Sequence, residues 1–234
     1  MDRQSLALSF SDSLTEEVSS CVGEFVEIGV DSVLEDGLMK DIPFISTAVS
    51  IYRIGKSIRE RHHVAKLAVF LNEINKGIAD ENERYEYRVK FQSDEKFHNQ
   101  ELEYAMILID RYIGFDKPQM LAKLFLAYLR GEIVWIELTM YAEVIDRFLP
   151  GDYNVLASDT EKFITYHNGG SEALLRLMAM GLVAEKGGSP LFTDDGRGGW
   201  SVTAASMNRA KMQMKEYRRT EFGDQLTRIL KGTQ

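Results

Sequence analysis

Apolar residues return at steps of three and four from Leu14 to Phe148, and the spacing stops at Pro150 and Gly151. This break constrains the fold more than any other feature. It sets a helix-spaced stretch, residues 1–150, before a glycine-richer stretch of mixed pattern, residues 151–234. Four prolines in 234 residues leave room for long helices. Short polar joints between successive apolar stripes favour antiparallel neighbours in a bundle.

Ser13 and Glu16 read as a capping box opening a helix through Leu14, Val18, Cys21, Phe25, Ile28 and Val33 to Gly37. Asp41 and Pro43 then open an amphipathic helix with Phe44, Ala48, Ile51, Gly55 and Ile58 on one face and Arg53, Lys56 and Glu60 on the other. Its basic side runs on through Arg59, Arg61, His62, His63 and Lys66, a basic island in an acidic chain. Further stripes follow. Val64, Leu67, Ala68, Leu71 and Ile74 lead to Gly77; Asp80 to Gln92 is a charged peripheral helix anchored by Tyr85, Val89 and Phe91. Leu102, Met106, Ile109 and Ile113 come next, then Leu121, Leu124, Phe125 and Tyr128 behind a capping box of Asp116 and Gln119. Glu132 to Phe148 closes the series with Ile133, Ile136, Met140, Tyr141 and Val144 inside.

Beyond the break, Asp152 to His167 reads as a helix, Gly169 and Gly170 as a turn, and Ser171 to Met180 as a second helix. GLVAEKGG gives a short strand, SPLFTDDGRGG a loop excursion, and WSVT another strand before a helical Ala204 to Gln213. EYRRTEFGDQLTRILKG is a strand turning at Gly223 into a terminal helix. This order, with Leu174, Leu177, Gly181, Leu182 and Val183 and the T-x-x-G-x-x-L run of Thr220, Gly223 and Leu226, resembles the winged-helix fold over the last third of the chain. The preceding part is similar to uncharacterised bacterial helical proteins that carry such a terminal module. The expected architecture is mainly α: an N-terminal helical bundle and a small C-terminal α+β winged-helix-like domain.

Composition narrows the function. A net charge of −8 argues against general nucleic-acid binding, which needs clustered Lys and Arg. Cys21, the single cysteine, gives no disulfide framework and no thiolate zinc set, so a reducing cytoplasm is the expected location. No secretory leader or run of about 18 apolar residues is visible. No catalytic signature stands out: there is no G-x-S-x-G elbow, GRGG lacks a phosphate-loop frame, and Glu95 with His98 is an E-x-x-H pair for which the spacing demands no further metal-binding glutamates. No catalytic residue, metal, cofactor or small-molecule substrate is expected, and the chain reads as a non-enzyme.

What remains is contact. In the C-terminal module Arg176, Arg209, Lys211, Lys215, Arg218 and Arg219 are the candidate groups for DNA or a protein partner. The helix in the recognition position, Ser171 to Met180, has one base and much apolar surface, which suits a protein partner or self-association better than base reading. The reading is a cytoplasmic regulator or adaptor. The alternative is a membrane-acting growth-arrest or anti-phage effector that uses Phe44, Ile51, Arg53, Lys56 and Ile58 on an interfacial helix.

Overall fold

The computed structural model describes residues 5–15, 42–52, 57–158, 163–165, 172–185, 192–194, 200–202 and 215–232. The chain is mainly helical with small antiparallel sheets towards its end, and it divides into two compact units, Met1–Asp146 and Arg147–Gln234.

The described helices of the first unit are α1 (Leu6–Asp12), α2 (Pro43–Tyr52), α3 (Ile58–Gly77), α4 (Glu81–Ser93), α5 (Glu95–Arg111), α6 (Asp116–Leu129) and α7 (Trp135–Arg147), whose last residue begins the second unit. Seven residues are too few for α1 to hold its own hydrogen bonds in water; burial makes it a helix. Phe10 sits at ring-centroid distances of 5.0 Å from Phe44, 4.9 Å from Phe91, 6.4 Å from Phe70 and 6.3 Å from Phe125, so one side chain touches α2, α4, α3 and α6. Both ends of α1 are held by other helices. Asn99 of α5 accepts from the Ala7 amide at 2.8 Å, and Asn75 of α3 donates to the Ser13 carbonyl at 3.2 Å.

Ser13 does not open a following helix. It closes α1, its hydroxyl donating to the Ser9 carbonyl and accepting the Phe44 amide at 2.9 Å. That amide is an orphan at the start of α2, because Ile42 has no side-chain acceptor and Pro43 has no N–H. Ser13 thus caps a helix that begins thirty residues later. Glu16, Cys21 and the rest of that expected first helix lie outside the described residues.

Other expectations change as well. The amphipathic stretch is two helices, since Ser57 caps α3 in a capping box with Glu60 and separates it from α2. In α4 the anchors are Tyr87 and Phe91 with the aliphatic stem of Arg84, while Tyr85 and Val89 are exposed. Helix α5 ends at Arg111, which buries Tyr112 and leaves Ile113 outside at 89% exposure. Asp116 and Gln119 form no capping box, for the residue before α6 is Phe115. Helix α7 buries Leu138, Tyr141, Ala142 and Ile145, so Ile136 and Met140 face outward. A helix apolar on two sides gives no period that says which side packs.

The second unit holds α8 (Asp152–Ala157), β1 (Phe163–Thr165), α9 (Glu172–Ala179), β2 (Val183–Glu185), β3 (Phe192–Asp194), β4 (Trp200–Val202), β5 (Lys215–Arg219) and α10 (Glu221–Lys231). The expected helix from Asp152 to His167 stops at Ala157, and β1 follows it. Strand β5 runs between β1 and β2, antiparallel to both, with Phe163 opposite Tyr217 and Val183 opposite Arg219. The loop excursion pairs as a hairpin of β3 and β4. The expected helix from Ala204 to Gln213 lies outside the described residues.

The T-x-x-G-x-x-L run has a physical basis. The Thr220 hydroxyl accepts from the Gly223 amide at 3.0 Å and donates to the Gly181 carbonyl at 2.7 Å, while the Thr220 amide donates to the Leu182 carbonyl. A Cβ on Gly223 would lie 2.1 Å from the Leu182 oxygen, so only glycine lets α10 start against that backbone. Leu226 is then fully buried, as are Leu174, Leu177 and Leu182.

Two substitutions test these joints. Phe10→Ala lowers the unfolding free energy of the helical unit by about 3–5 kcal/mol in urea titration. Gly223→Ala lowers the melting temperature of the C-terminal unit and leaves the helical unit's transition in place, as followed by amide spectra of each unit.

Candidate functional site

Helix α3 turns the basic island inward. Lys66 is 3% exposed, and its ammonium donates to the Asp110 carbonyl at 3.0 Å and to the Tyr112 carbonyl, neutralising the C-terminal end of α5. Burial lowers the Lys66 pKa below its ordinary 10.5, and Asp110 opposes that shift. Arg59 reaches Asp110 Oδ2 at 2.8 Å from an exposed position. His63 is buried rather than part of a basic surface, and His62 lies against the Phe115 ring at 4.9 Å. Together with Ser57, Glu60, Met106, Ile107 and Arg111, Arg59, His63 and Asp110 line a cleft of about 420 Å³.

The interfacial-helix residues are divided by the same packing. Phe44 is buried against Phe10, and Ile51 is half-buried. Arg53 and Lys56 lie outside the described residues, as does the side chain of Ile58. No described helix is long and apolar enough to cross a membrane.

The E-x-x-H pair separates. Glu95 is exposed at the start of α5, while His98 is buried with Nδ1 at 2.7 Å from Glu101 Oε2. The Tyr128 hydroxyl donates to the other Glu101 oxygen; burial, then that carboxylate, raises the Tyr128 pKa. A buried carboxylate accepting on both oxygens is a satisfied core network. Among the described residues no three metal-binding side chains converge.

In the C-terminal unit the candidate bases take different roles. Arg176 donates through Nε and Nη2 to both oxygens of Asp152, at 3.1 Å and 2.6 Å, and the fully buried Asp152 also accepts the Leu149 amide. Arg219 donates to Asp224 at 2.6 Å and to the carbonyls of Leu156 and Ser158, tying β5 to α8 and α10. Both are fasteners of the unit. Arg218 alternates with buried Tyr217 and faces solvent. The side chain of Lys215, in β5, lies outside the described residues, as do Arg209 and Lys211 entirely. Helix α9 packs Leu174 and Leu177 inward and presents Glu172, Leu175 and Ala179 outward.

Asp152 is the residue that sequence reasoning missed. An aspartate after Pro150 and Gly151 reads as a helix start, and nothing local marks a partner 24 positions on.

The geometry defines a mainly helical protein of two compact units. Compared with known proteins, the chain matches no family model, no curated protein and no solved structure. Asp152→Ala and Arg176→Ala each lower the melting temperature of the C-terminal unit, because either one removes a charge-assisted fork. Arg218→Ala leaves it unchanged, within the roughly 0.5 kcal/mol typical of surface sites.

Proposed function

We propose that the protein is a non-enzymatic regulator or adaptor whose C-terminal unit, winged-helix-like in arrangement, makes contact with another protein. Support for that arrangement comes from the order of α9, β2, β5 and α10 and from β5 running antiparallel between β1 and β2. The preference for a protein over DNA rests on one observation, the outer line of α9. Glu172 is an acid, Leu175 is half-exposed and Ala179 is small, and the helix's one base, Arg176, has its fork on Asp152. Base reading calls for free donors and acceptors on that line, and phosphate contact calls for free cations. An apolar and acidic line instead suits a protein groove or helix.

A membrane-acting effector has less support. Its helix would have to withdraw Phe44, Ile45 and Ala48 from the interior and break the Ser13 contact with the Phe44 amide.

Duplex binding by the intact protein at low and moderate salt separates the partners. The protein reading expects no salt-dependent affinity and no change on Arg218→Glu. It also expects a photo-crosslinker at position 175, in cells that make the protein, to give a discrete protein adduct that one at Glu185 does not. Tight duplex binding that falls with salt and disappears in Arg218→Glu would establish DNA as the partner. Arg219 is unsuited to such a test, because reversing it unties β5 from α8.

A further inference from the structure

The joint between α3 and α5 brings three basic side chains to one residue, Asp110. Asp110 gives Oδ2 to Arg59 at 2.8 Å, and its main-chain carbonyl accepts from Lys66. Between these two bases on α3 lies His63, with its side chain 10% exposed. Its Nδ1 is buried without a hydrogen bond, and Asp110 Oδ1 stands 3.6 Å away, beyond bonding distance. Among the described residues, the charged groups around the imidazole are Arg59, Glu60 and Lys66 from α3 and Asp110 and Arg111 from α5. Helix α2, which also packs on α3, carries no ionisable residue except Tyr52. Tyr112, at the end of α5, stays protonated through burial, with Lys117 over its ring.

We propose that His63 is an acid-operated latch on this joint: neutral, it packs between Arg59 and Lys66, and once protonated it draws Asp110 away from Arg59 and repels Lys66, releasing the end of α5 and opening the adjoining cleft.

The geometry supplies both states. With a neutral ring, Arg59 and Lys66 share the end of α5, while Arg111 is paired with Glu143 and Asp146. With a charged ring, a further cation stands beside Asp110 and repels the ammonium that neutralises the last carbonyls of α5. Burial holds the imidazole below its ordinary value of 6.5; Asp110 opposes this, while Lys66 and Arg59 add to it. An opened joint therefore takes up the proton before a closed one. The closed form is at full strength above pH 6.5 and weakens as pH falls below it. One linked proton sets the limit of the effect, an opening constant that rises about tenfold per pH unit between the two values.

Amide exchange of the intact protein, read by NMR from neutral pH to about pH 5 and corrected for intrinsic rates, tests the latch. Amides at the end of α5, Arg111 and Tyr112, lose protection up to about tenfold per pH unit below 6.5, while those of Leu124 and Phe125 in α6 do not. The loss sets in near pH 6.5 and levels off where the His63 ring titrates in the unaltered protein, and His63→Gln removes the change. The ring titration keeps the test decisive if that variant does not fold. Unchanged exchange at Arg111 and Tyr112, acid opening that persists in His63→Gln, a levelling-off apart from the ring titration, or a parallel rise in α6 would each overturn the latch.

Discussion

A seven-residue helix with no stability of its own holds the helical unit together. Phe10 supplies ring contacts to four other helices, and Ser13 supplies the hydrogen bond that the start of α2 lacks. The dependence is mutual: α1 needs Asn99 and Asn75 at its ends, and those amides are buried or partly buried groups that need partners. Placement of α2 follows from this exchange, and with it the fate of the apolar face that would otherwise be free to enter a bilayer or another protein.

The C-terminal unit relies on backbone proximity. Gly223 lets α10 begin against the carbonyl of Leu182, Thr220 joins that start to Gly181, and Arg219 joins β5 to the end of α8. Two of the bases that look like a contact patch in one dimension, Arg176 and Arg219, are used here as internal fasteners. Arg218, by contrast, faces solvent.

The mainly helical character was legible, because stripes such as Leu67, Leu71 and Ile74 or Leu121, Leu124 and Phe125 run long enough to establish a period. The terminal strand and helix were legible for the same reason, with Thr220 and Gly223 as punctuation. Helix α1 was not, since LALSFSD spans barely two turns and Ser13 beyond it reads as the cap of a following helix. Facing was harder than type. Helix α7 carries apolar residues on both sides, so Ile136 and Met140 were placed inside when Leu138 and Ala142 are the buried ones. The fate of the bases was beyond the sequence, because it turns on distant partners: Lys66 on the end of α5, Arg176 on Asp152.

Native-state hydrogen exchange along the whole chain bears most directly on the claim that α1 fixes α2 and leaves contact to the outer surfaces. The account predicts that the Ala7 and Phe44 amides, each bonded to a side chain of another element, exchange as slowly as the interior of α3 and α6. Fast exchange at Ala7 and Phe44 while α3 and α6 stay protected would contradict it, because the apolar face of α2 would then be on offer to a membrane or partner.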